Sequence, residues 1–221
     1  LDFKTPLTAT TSVILKDCTF NSLSSAHGTP EYTTGGAFYS NGFQSTFENC
    51  IFTGNTARKA AACAIYNTKG SFKQCRFFQN KASIDIGAVL LDNCEAVLNE
   101  CYFVDNFATL SIGAVLAVKS KLILDMVVFH MNHANYQNGA LELTNTEANI
   151  NVNQFSNNTC PRQRGGVSLV GNNNSRITLI GCNFETLVKE SEVKHPIILE
   201  HGSYLNAKMN CFDANEDDIR E

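Results

Sequence analysis

Eight phenylalanines recur along the chain at nearly constant spacing, and this repeat constrains the fold more than any other feature. The intervals between them are 32, 25, 26, 26, 26, 29 and 28 residues. The chain has 15 phenylalanines in 221 residues, so one repeat position holds more than half of them. The repeated residues are Phe20, Phe52, Phe77, Phe103, Phe129, Phe155, Phe184 and Phe212. A fixed period of this length is typical of a protein built from stacked repeats.

Two further positions recur at the same intervals as the phenylalanines. Two residues before each Phe stands most often a cysteine, and three residues after it stands an asparagine in six of the eight repeats. These asparagines are Asn55, Asn80, Asn106, Asn132, Asn158 and Asn215. Between successive phenylalanines lies a Gly-Ala or related pair, followed by an apolar run such as Ala-Val-Leu-Leu at 88–91.

Within each repeat, apolar and polar residues alternate over short segments. Leu122 and Leu124 are one such alternating pair, and Ile177 and Leu179 are another. Period-two alternation over short runs predicts β-strands, and no window carries an apolar stripe of helical period. A repeat of this size cannot bury its apolar face alone, so successive repeats must stack. We therefore predict an all-β fold, a right-handed single-stranded parallel β-helix of about eight coils.

We expect residues 1–221 to form one β-helix domain. Its repeats span about residues 12–215, and residues 1–11 and 216–221 form terminal segments that could cap the stack. In such a stack, Phe rests on Phe and Asn on Asn. Stacked rings fill a narrow core, while asparagines suit left-handed turns and can bond to the repeats above and below. Longer insertions are expected at 22–34, 160–165 and 186–195.

The alternation of Phe-x-x-Asn with Gly-Gly-Ala motifs resembles the repeats of chlamydial polymorphic membrane proteins and of similar trichomonad surface proteins. The resemblance covers about residues 18–215. In this chain Leu23 and Leu187 replace the asparagine, and Cys63 replaces the glycine. The resemblance implies a β-helix passenger that is displayed on a cell surface and used in adhesion.

The nine cysteines have no Cys-x-x-Cys spacing, which disfavours a zinc ribbon. Val127 occupies a cysteine position of the repeat, which packing permits and disulfide pairing does not. We interpret the repeated cysteines as reduced thiols in the core. His130 and His133 are the strongest metal-ligand candidates, but no third ligand is evident. No metal site and no cofactor are predicted.

Catalysis by a β-helix enzyme requires carboxylates clustered on neighbouring coils. In the repeat frame, acids such as Asp85, Glu142 and Asp125 stand apart from one another, so no catalytic residue is assigned. Arg162 and Arg164 form a basic turn that could bind a small anion. The net charge of −4 and the lack of a basic stripe argue against nucleic acid. No apolar run approaches a transmembrane helix.

The strands after the Gly-Ala pairs are apolar at nearly every position, which indicates that both of their faces are covered. Depending on the register, the outward stripe contains either Phe38, Ile65, Val89 and Val115 or Tyr39, Tyr66, Leu90 and Leu116. We predict these residues to be a docking surface covered by another segment, chain or protein.

These features favour a non-enzymatic, adhesin-like passenger that binds a protein partner or cell-surface ligand through its lateral faces. Such a protein would be secreted or held at the cell surface. The sequons at 157–159 and 173–175 would permit glycosylation there. Two alternatives stay open: a structural component of a larger assembly and a carbohydrate-active lyase or hydrolase.

Overall fold

A computed structural model describes residues 2–4, 11–25, 34–160, 166–185, 195–212 and 219–220. All regular secondary structure in these residues is β-strand. The strands form four parallel sheets, which we number in the order in which each coil of the chain visits them. The described residues contain no helix long and apolar enough to cross a membrane.

Each sheet collects one strand from successive coils. Sheet 1 contains β1 (Asp2–Lys4), β4 (Phe38–Asn41), β8 (Cys63–Tyr66), β12 (Val89–Asp92), β16 (Val115–Val118), β20 (Leu141–Thr144), β23 (Gly166–Asn172), β26 (His195–Leu199) and β29 (Ile219–Arg220). Sheet 2 contains β2 (Ser12–Lys16), β5 (Gln44–Glu48), β9 (Lys69–Lys73), β13 (Glu95–Asn99), β17 (Lys121–Asp125), β21 (Glu147–Asn151), β24 (Arg176–Ile180) and β27 (Tyr204–Lys208). Sheet 3 contains β3 (Thr19–Asn21), β6 (Ile51–Thr53), β10 (Arg76–Phe78), β14 (Tyr102–Val104), β18 (Val128–His130), β22 (Gln154–Ser156), β25 (Asn183–Glu185) and β28 (Cys211–Phe212). Sheet 4 contains β7 (Thr56–Lys59), β11 (Lys81–Asp85), β15 (Phe107–Ala108) and β19 (His133–Ala134).

The chain is therefore a parallel β-solenoid, as the repeat predicts. It makes about six turns, slightly fewer than the eight expected. Among the described residues, sheet 1 has nine strands, sheets 2 and 3 have eight each and sheet 4 has four. Most residues of the predicted caps at 1–11 and 216–221 and of the insertions at 22–34, 160–165 and 186–195 lie outside the described residues. Within the caps, β1 and β29 each add a strand to sheet 1.

The phenylalanines form one continuous stack through the core, which confirms the central prediction. Phe77 pairs in register with Phe52 on one side and Phe103 on the other. The rings of Phe77 and Phe103 are 4.5 Å apart and tilted by 1°, and the stack runs on from Phe20 to Phe212. Parallel stacking at this spacing follows from the strand spacing of a sheet, about 4.8 Å.

The asparagines form a second, polar stack at the turn between sheets 3 and 4. Each side-chain amide donates to the next asparagine, as from Asn80 Nδ2 to Asn106 Oδ1 at 3.0 Å and from Asn106 Nδ2 to Asn132 Oδ1 at 2.9 Å. The same amide of Asn106 also donates to the carbonyl of Phe77 at 2.9 Å. Asn106 is completely buried, and these bonds satisfy it. The predicted bonding between repeats is confirmed.

The expectation that these asparagines adopt left-handed backbone is wrong. The residue before each of them has the positive φ instead, with values of 52° at Gln79, 55° at Asp105 and 53° at Met131. The preceding residue makes the left-handed turn between the two sheets. The asparagine is then left in ordinary backbone with its side chain pointing into the turn, where it replaces missing backbone hydrogen bonds.

The cysteine position serves the same purpose at the turn between sheets 2 and 3. The thiol of Cys101 points to the carbonyls of Phe72 and Asn99, at 3.4 and 3.3 Å. Where the repeat has Asn153, its amide reaches the corresponding carbonyl of Leu124 at 3.5 Å. All nine cysteines are unpaired. At the repeated position Cys50, Cys75, Cys101 and Cys182 are buried, as predicted, and Cys18 is partly buried, whereas Cys211, which lies outside that position, is exposed.

A third polar stack, at the turn between sheets 1 and 2, was not anticipated. It is formed by the side chains of Cys94, Ser120, Thr146, Ser175 and Ser203. The Ser120 hydroxyl accepts from the backbone N–H of Cys94 at 3.0 Å, and the Thr146 hydroxyl accepts from that of Ser120 at 3.3 Å. Each of the three turns between sheets 1, 2, 3 and 4 therefore carries at least one stack of side-chain hydrogen bonds.

The turn from sheet 4 back to sheet 1 is closed by the Gly-Ala pairs. A Cβ atom at Gly87 would lie 2.0 Å from the carbonyl oxygen of Gly113, and one at Gly113 would lie 2.0 Å from that of Gly139. At these coils the neighbouring backbones leave no space for a Cβ atom. In an earlier coil Ala61, and not Cys63 as the repeat suggested, stands at the glycine position, because Cys63 is in register with Val89. This close approach, and not a left-handed φ, accounts for the glycine at the repeated position.

Candidate functional site

Of the two alternative stripes predicted on sheet 1, the one with Phe38, Ile65, Val89 and Val115 is wrong, whereas Tyr39, Leu90 and Leu116 of the other do face outward. Phe38, Val89 and Val115 stack in one register column, and all three are completely buried in the solenoid core. Ile65 belongs to another inward column and is also completely buried. These four residues contact no solvent and cannot bind a partner. Alternation along the strand sends every second residue inward, so the apolar run includes one full face of the core.

The outward residues of sheet 1 are covered mainly by the chain itself. Leu90 packs in a small apolar cluster with Ala60, Ala64, Ile86 and Ile112, and it is only 7% exposed. Ile86 and Ile112 belong to the turn that leads from sheet 4 to sheet 1. Neighbouring turns of the same chain therefore provide the cover that is predicted for this face.

Three members of the predicted stripe stay partly accessible at the margin of this cluster. Tyr39, Tyr66 and Leu116 are half-buried against it, and the two tyrosine rings are 5.4 Å apart. Burial raises the pKa of the Tyr66 phenol to about 12. Tyr39 is in register with Ala64 and not with Tyr66, so the three residues do not form one continuous stripe.

A small polar cavity lies further along sheet 1, and sequence reasoning did not find it. Glu142 and Glu200 line it together with Gln137 and Asn172, and its volume is about 50 Å³. Burial raises the pKa of the Glu142 carboxyl, and the nearby charge of Glu200 raises it further. The two carboxylates come from coils that are not adjacent, which is why a search of neighbouring coils missed them.

The outward face of sheet 2 differs because its side chains are exposed over many coils. The strands β9, β13, β17, β21 and β24 stay in unbroken register, so their residues form straight columns along the solenoid. We call this surface the sheet 2 face. Its central column contains Ser71, Val97, Ile123 and Asn149. Val97 is 40% exposed and Ile123 is 42% exposed, side by side in the middle of the sheet.

A column of alternating charge borders the central column. We call it the charged column, and its members are Lys69, Glu95, Lys121, Glu147 and Arg176. All five are exposed. Lys69 Nζ lies 3.1 Å from Glu95 Oε2, and both side chains stay more than half accessible. Such a solvated pair adds little to stability, so the charges remain available to a partner.

The opposite border of the sheet 2 face is also polar. Lys16 and Glu48 pair at 2.7 Å near its beginning, and Asn99 donates to Asp125 at 3.1 Å near its middle. A shallow cavity of 520 Å³ between the central and charged columns includes Val97 and Ile123. It adjoins a second cavity of 560 Å³ in the following coils, and the two share Glu147 and Asn149.

The other candidate sites stay apart from this face. His130 and His133 lie in different sheets, and each uses Nδ1 to bond a hydroxyl of the next coil: Ser156 at 2.8 Å and Thr159 at 2.6 Å. Within the described ranges no three metal-ligating side chains come together. The basic turn with Arg162 and Arg164 lies outside the described residues.

The described residues form a parallel β-solenoid whose sheet 2 face is an exposed lateral surface. No family model, curated protein or solved structure matches the chain. Function must therefore be argued from the surface itself.

Proposed function

We propose that this protein is a non-enzymatic, adhesin-like rod, secreted or held at a cell surface, and that it binds through the sheet 2 face. The observation that carries the proposal is the exposed pair Val97 and Ile123 within straight columns of charge. An apolar patch with a polar rim is the usual form of a protein interaction surface.

Contrast with sheet 1 supports the choice of face. There the outward apolar residues are covered by turns of the same chain, and Leu90 is nearly inaccessible. The scaffold alternative, docked through the apolar sheet, loses its main support because half of the proposed stripe is core. On the sheet 2 face, the turns do not fold over Val97 or Ile123.

Surface display provides the test. The protein is anchored on yeast, and adhesion is measured to immobilised glycans, to matrix proteins and to the protein itself. We expect adhesion to at least one of these surfaces, and Ile123→Asp should reduce it about tenfold or more, because a carboxylate would have to be buried at the contact. Tyr102→Asp, at a residue 44% exposed on sheet 3, is the matched control.

Adhesion that Ile123→Asp leaves unchanged, or that Tyr102→Asp weakens equally, would overturn the choice of the sheet 2 face. Failure to adhere to any of the three surfaces would count against the adhesive function itself.

A second candidate is a carbohydrate-active lyase or hydrolase, and the pair Glu142 and Glu200 favours it. A carboxyl with a raised pKa beside a second carboxylate is the arrangement of a general acid and its partner. The cavity of about 50 Å³ beside the two carboxylates is small compared with the roughly 300–1,000 Å³ of a typical ligand pocket. Turnover of a polysaccharide panel that Glu142→Gln abolishes would establish this function in place of the first.

A further inference from the structure

We infer that the occupant of the sheet 2 face is a second copy of this chain, packed face to face and running in the opposite direction. This inference rests on the proposed function and names its partner. It starts from the order of the charges: lysine or arginine alternates with glutamate at each of five successive coils. An acidic partner would be repelled by every second coil, and so would a basic one.

A two-fold axis makes this column complementary to itself. The axis lies in the contact plane, parallel to the strands, and passes midway between β13 and β17. It keeps each column over the same column of the second copy and reverses the order of the coils. Glu95 then faces Lys121 of the second copy, and Lys69 faces its Glu147. Each pair occurs twice, as in any contact around a two-fold axis.

The same axis also matches the other two columns. Val97 faces Ile123 of the second copy, so the four exposed apolar side chains meet at the centre. In the column on the opposite border, Asn99 faces Asp125 of the second copy, an amide against a carboxylate. Sheets that pack face to face lie about 10 Å apart, a separation that side chains of this size can fill.

The charges also select the register. Shifting the axis by half a coil, so that it passes over β17, would place Glu95 against Glu147 of the second copy, and like charges would face each other along the column. Any two-fold axis that passes midway between two coils pairs opposite charges in the charged column. Among these axes, only the one between β13 and β17 also brings Val97 and Ile123 to the centre of the contact. Repulsion in the wrong register is a common source of specificity.

Charge-swapped variants of the whole chain test this arrangement in sedimentation experiments. The wild type is expected to form a dimer, more weakly as salt rises. Lys121→Glu creates a Glu–Glu contact twice, and Glu95→Lys creates a Lys–Lys contact twice. Each variant alone should dimerise about tenfold or more weakly than the wild type.

Mixing the two variants should restore association, because every pair between the copies is again opposite in charge. Arg76→Glu, at an exposed cation on sheet 3, is the control and should dimerise as the wild type does. Unchanged circular dichroism and unfolding midpoints establish that the variants fold.

A monomeric wild type, dimerisation unaffected by Lys121→Glu, or variants that fail to associate on mixing would overturn the inference. These outcomes are distinct from failure of the proposed function. If Ile123→Asp abolishes adhesion to a glycan while the wild type sediments as a monomer, the sheet 2 face remains the binding surface. Its occupant is then not a second copy of the chain.

Discussion

Asn106 donates its side-chain amide to Oδ1 of Asn132, 2.9 Å away in space and 26 residues further along the chain. Its own Oδ1 accepts from both the amide and the backbone N–H of Asn80, at 3.0 and 3.1 Å. With the bond to the Phe77 carbonyl, four hydrogen bonds meet at one buried side chain. Each asparagine of the stack therefore depends on its neighbours.

Asn106→Ala should destabilise the solenoid by about 2 kcal/mol or more, since the buried backbone N–H of Asn80 and carbonyl of Phe77 lose their side-chain partner. Urea unfolding followed by circular dichroism measures the loss. Asn149→Ala, at an exposed asparagine on sheet 2, should change stability by less than about 0.5 kcal/mol. Equal effects of the two substitutions would contradict a structural role for the stack.

Gly113→Ala should destabilise the protein by about 2 kcal/mol or more. The added Cβ would lie 2.0 Å from the carbonyl oxygen of Gly139 and 2.7 Å from the backbone nitrogen of His133, so neighbouring coils would have to separate. Gly70→Ala is the matched control, because its Cβ would approach no atom closer than 3.3 Å, and alanine already occupies the next coil at Ala96. The unfolding midpoint of each variant measures its loss of stability. A Gly113→Ala variant as stable as the wild type would show that the coils do not approach each other this closely.

Val152→Asn should stabilise the protein by about 1 kcal/mol. Val152 has a φ of 55°, which is unfavourable for a β-branched residue, and it is 61% exposed, so little packing would be lost. The equivalent turn residue two residues before Ile51 is already an asparagine, Asn49, with a φ of 49°. Thermal and urea unfolding should both show the gain. Val152→Ile, which keeps the β-branch, should give none.

Stability should fall as the pH rises above about 8.5. Burial raises the pKa of the Cys94 thiol to about 11, whereas an unfolded thiol ionises near 8.5. A pKa raised in the folded state gives stability that is complete below the unfolded pKa and is lost as pH rises towards the folded one. The urea midpoint should therefore be lower at about pH 10 than at about pH 7.5.

Cys94→Ser should make this pH dependence shallower, because serine already fills the same position at Ser120 and Ser175 and does not ionise in this range. Other buried thiols, such as Cys63, keep part of the dependence. A urea midpoint that is constant across this pH range would contradict ionisation of buried thiols on unfolding.

Phe77 and Phe38 show which features of the fold can be predicted from the repeat and which cannot. The column of Phe77 follows from the sequence because one large residue recurs at one interval, and stacking is the only way to bury it in each coil. Phe38 lies in an apolar run where every position looks alike. The sequence there does not tell inward from outward residues, and the predicted register was two residues off, because Tyr39 pairs with Ala64 and not with Tyr66.

The stack of Ser120, Thr146, Ser175 and Ser203 could have been found, since its intervals of 26, 29 and 28 residues follow those of the phenylalanines. It was missed because the residue type varies within it. The pair Glu142 and Glu200 could not have been found in this way, because the two residues occupy different positions of the repeat.

The sequence by itself determined the solenoid, the stack of phenylalanines and the bonded asparagines, because a repeated residue in a stacked fold must meet its own copies. Only the tertiary structure decided which lateral face is open. That depends on where turn residues such as Ile86 and Ile112 fold over their neighbours and on the exposure left at Val97 and Ile123. Coverage of a surface is a property of the packed chain, and no single repeat contains it.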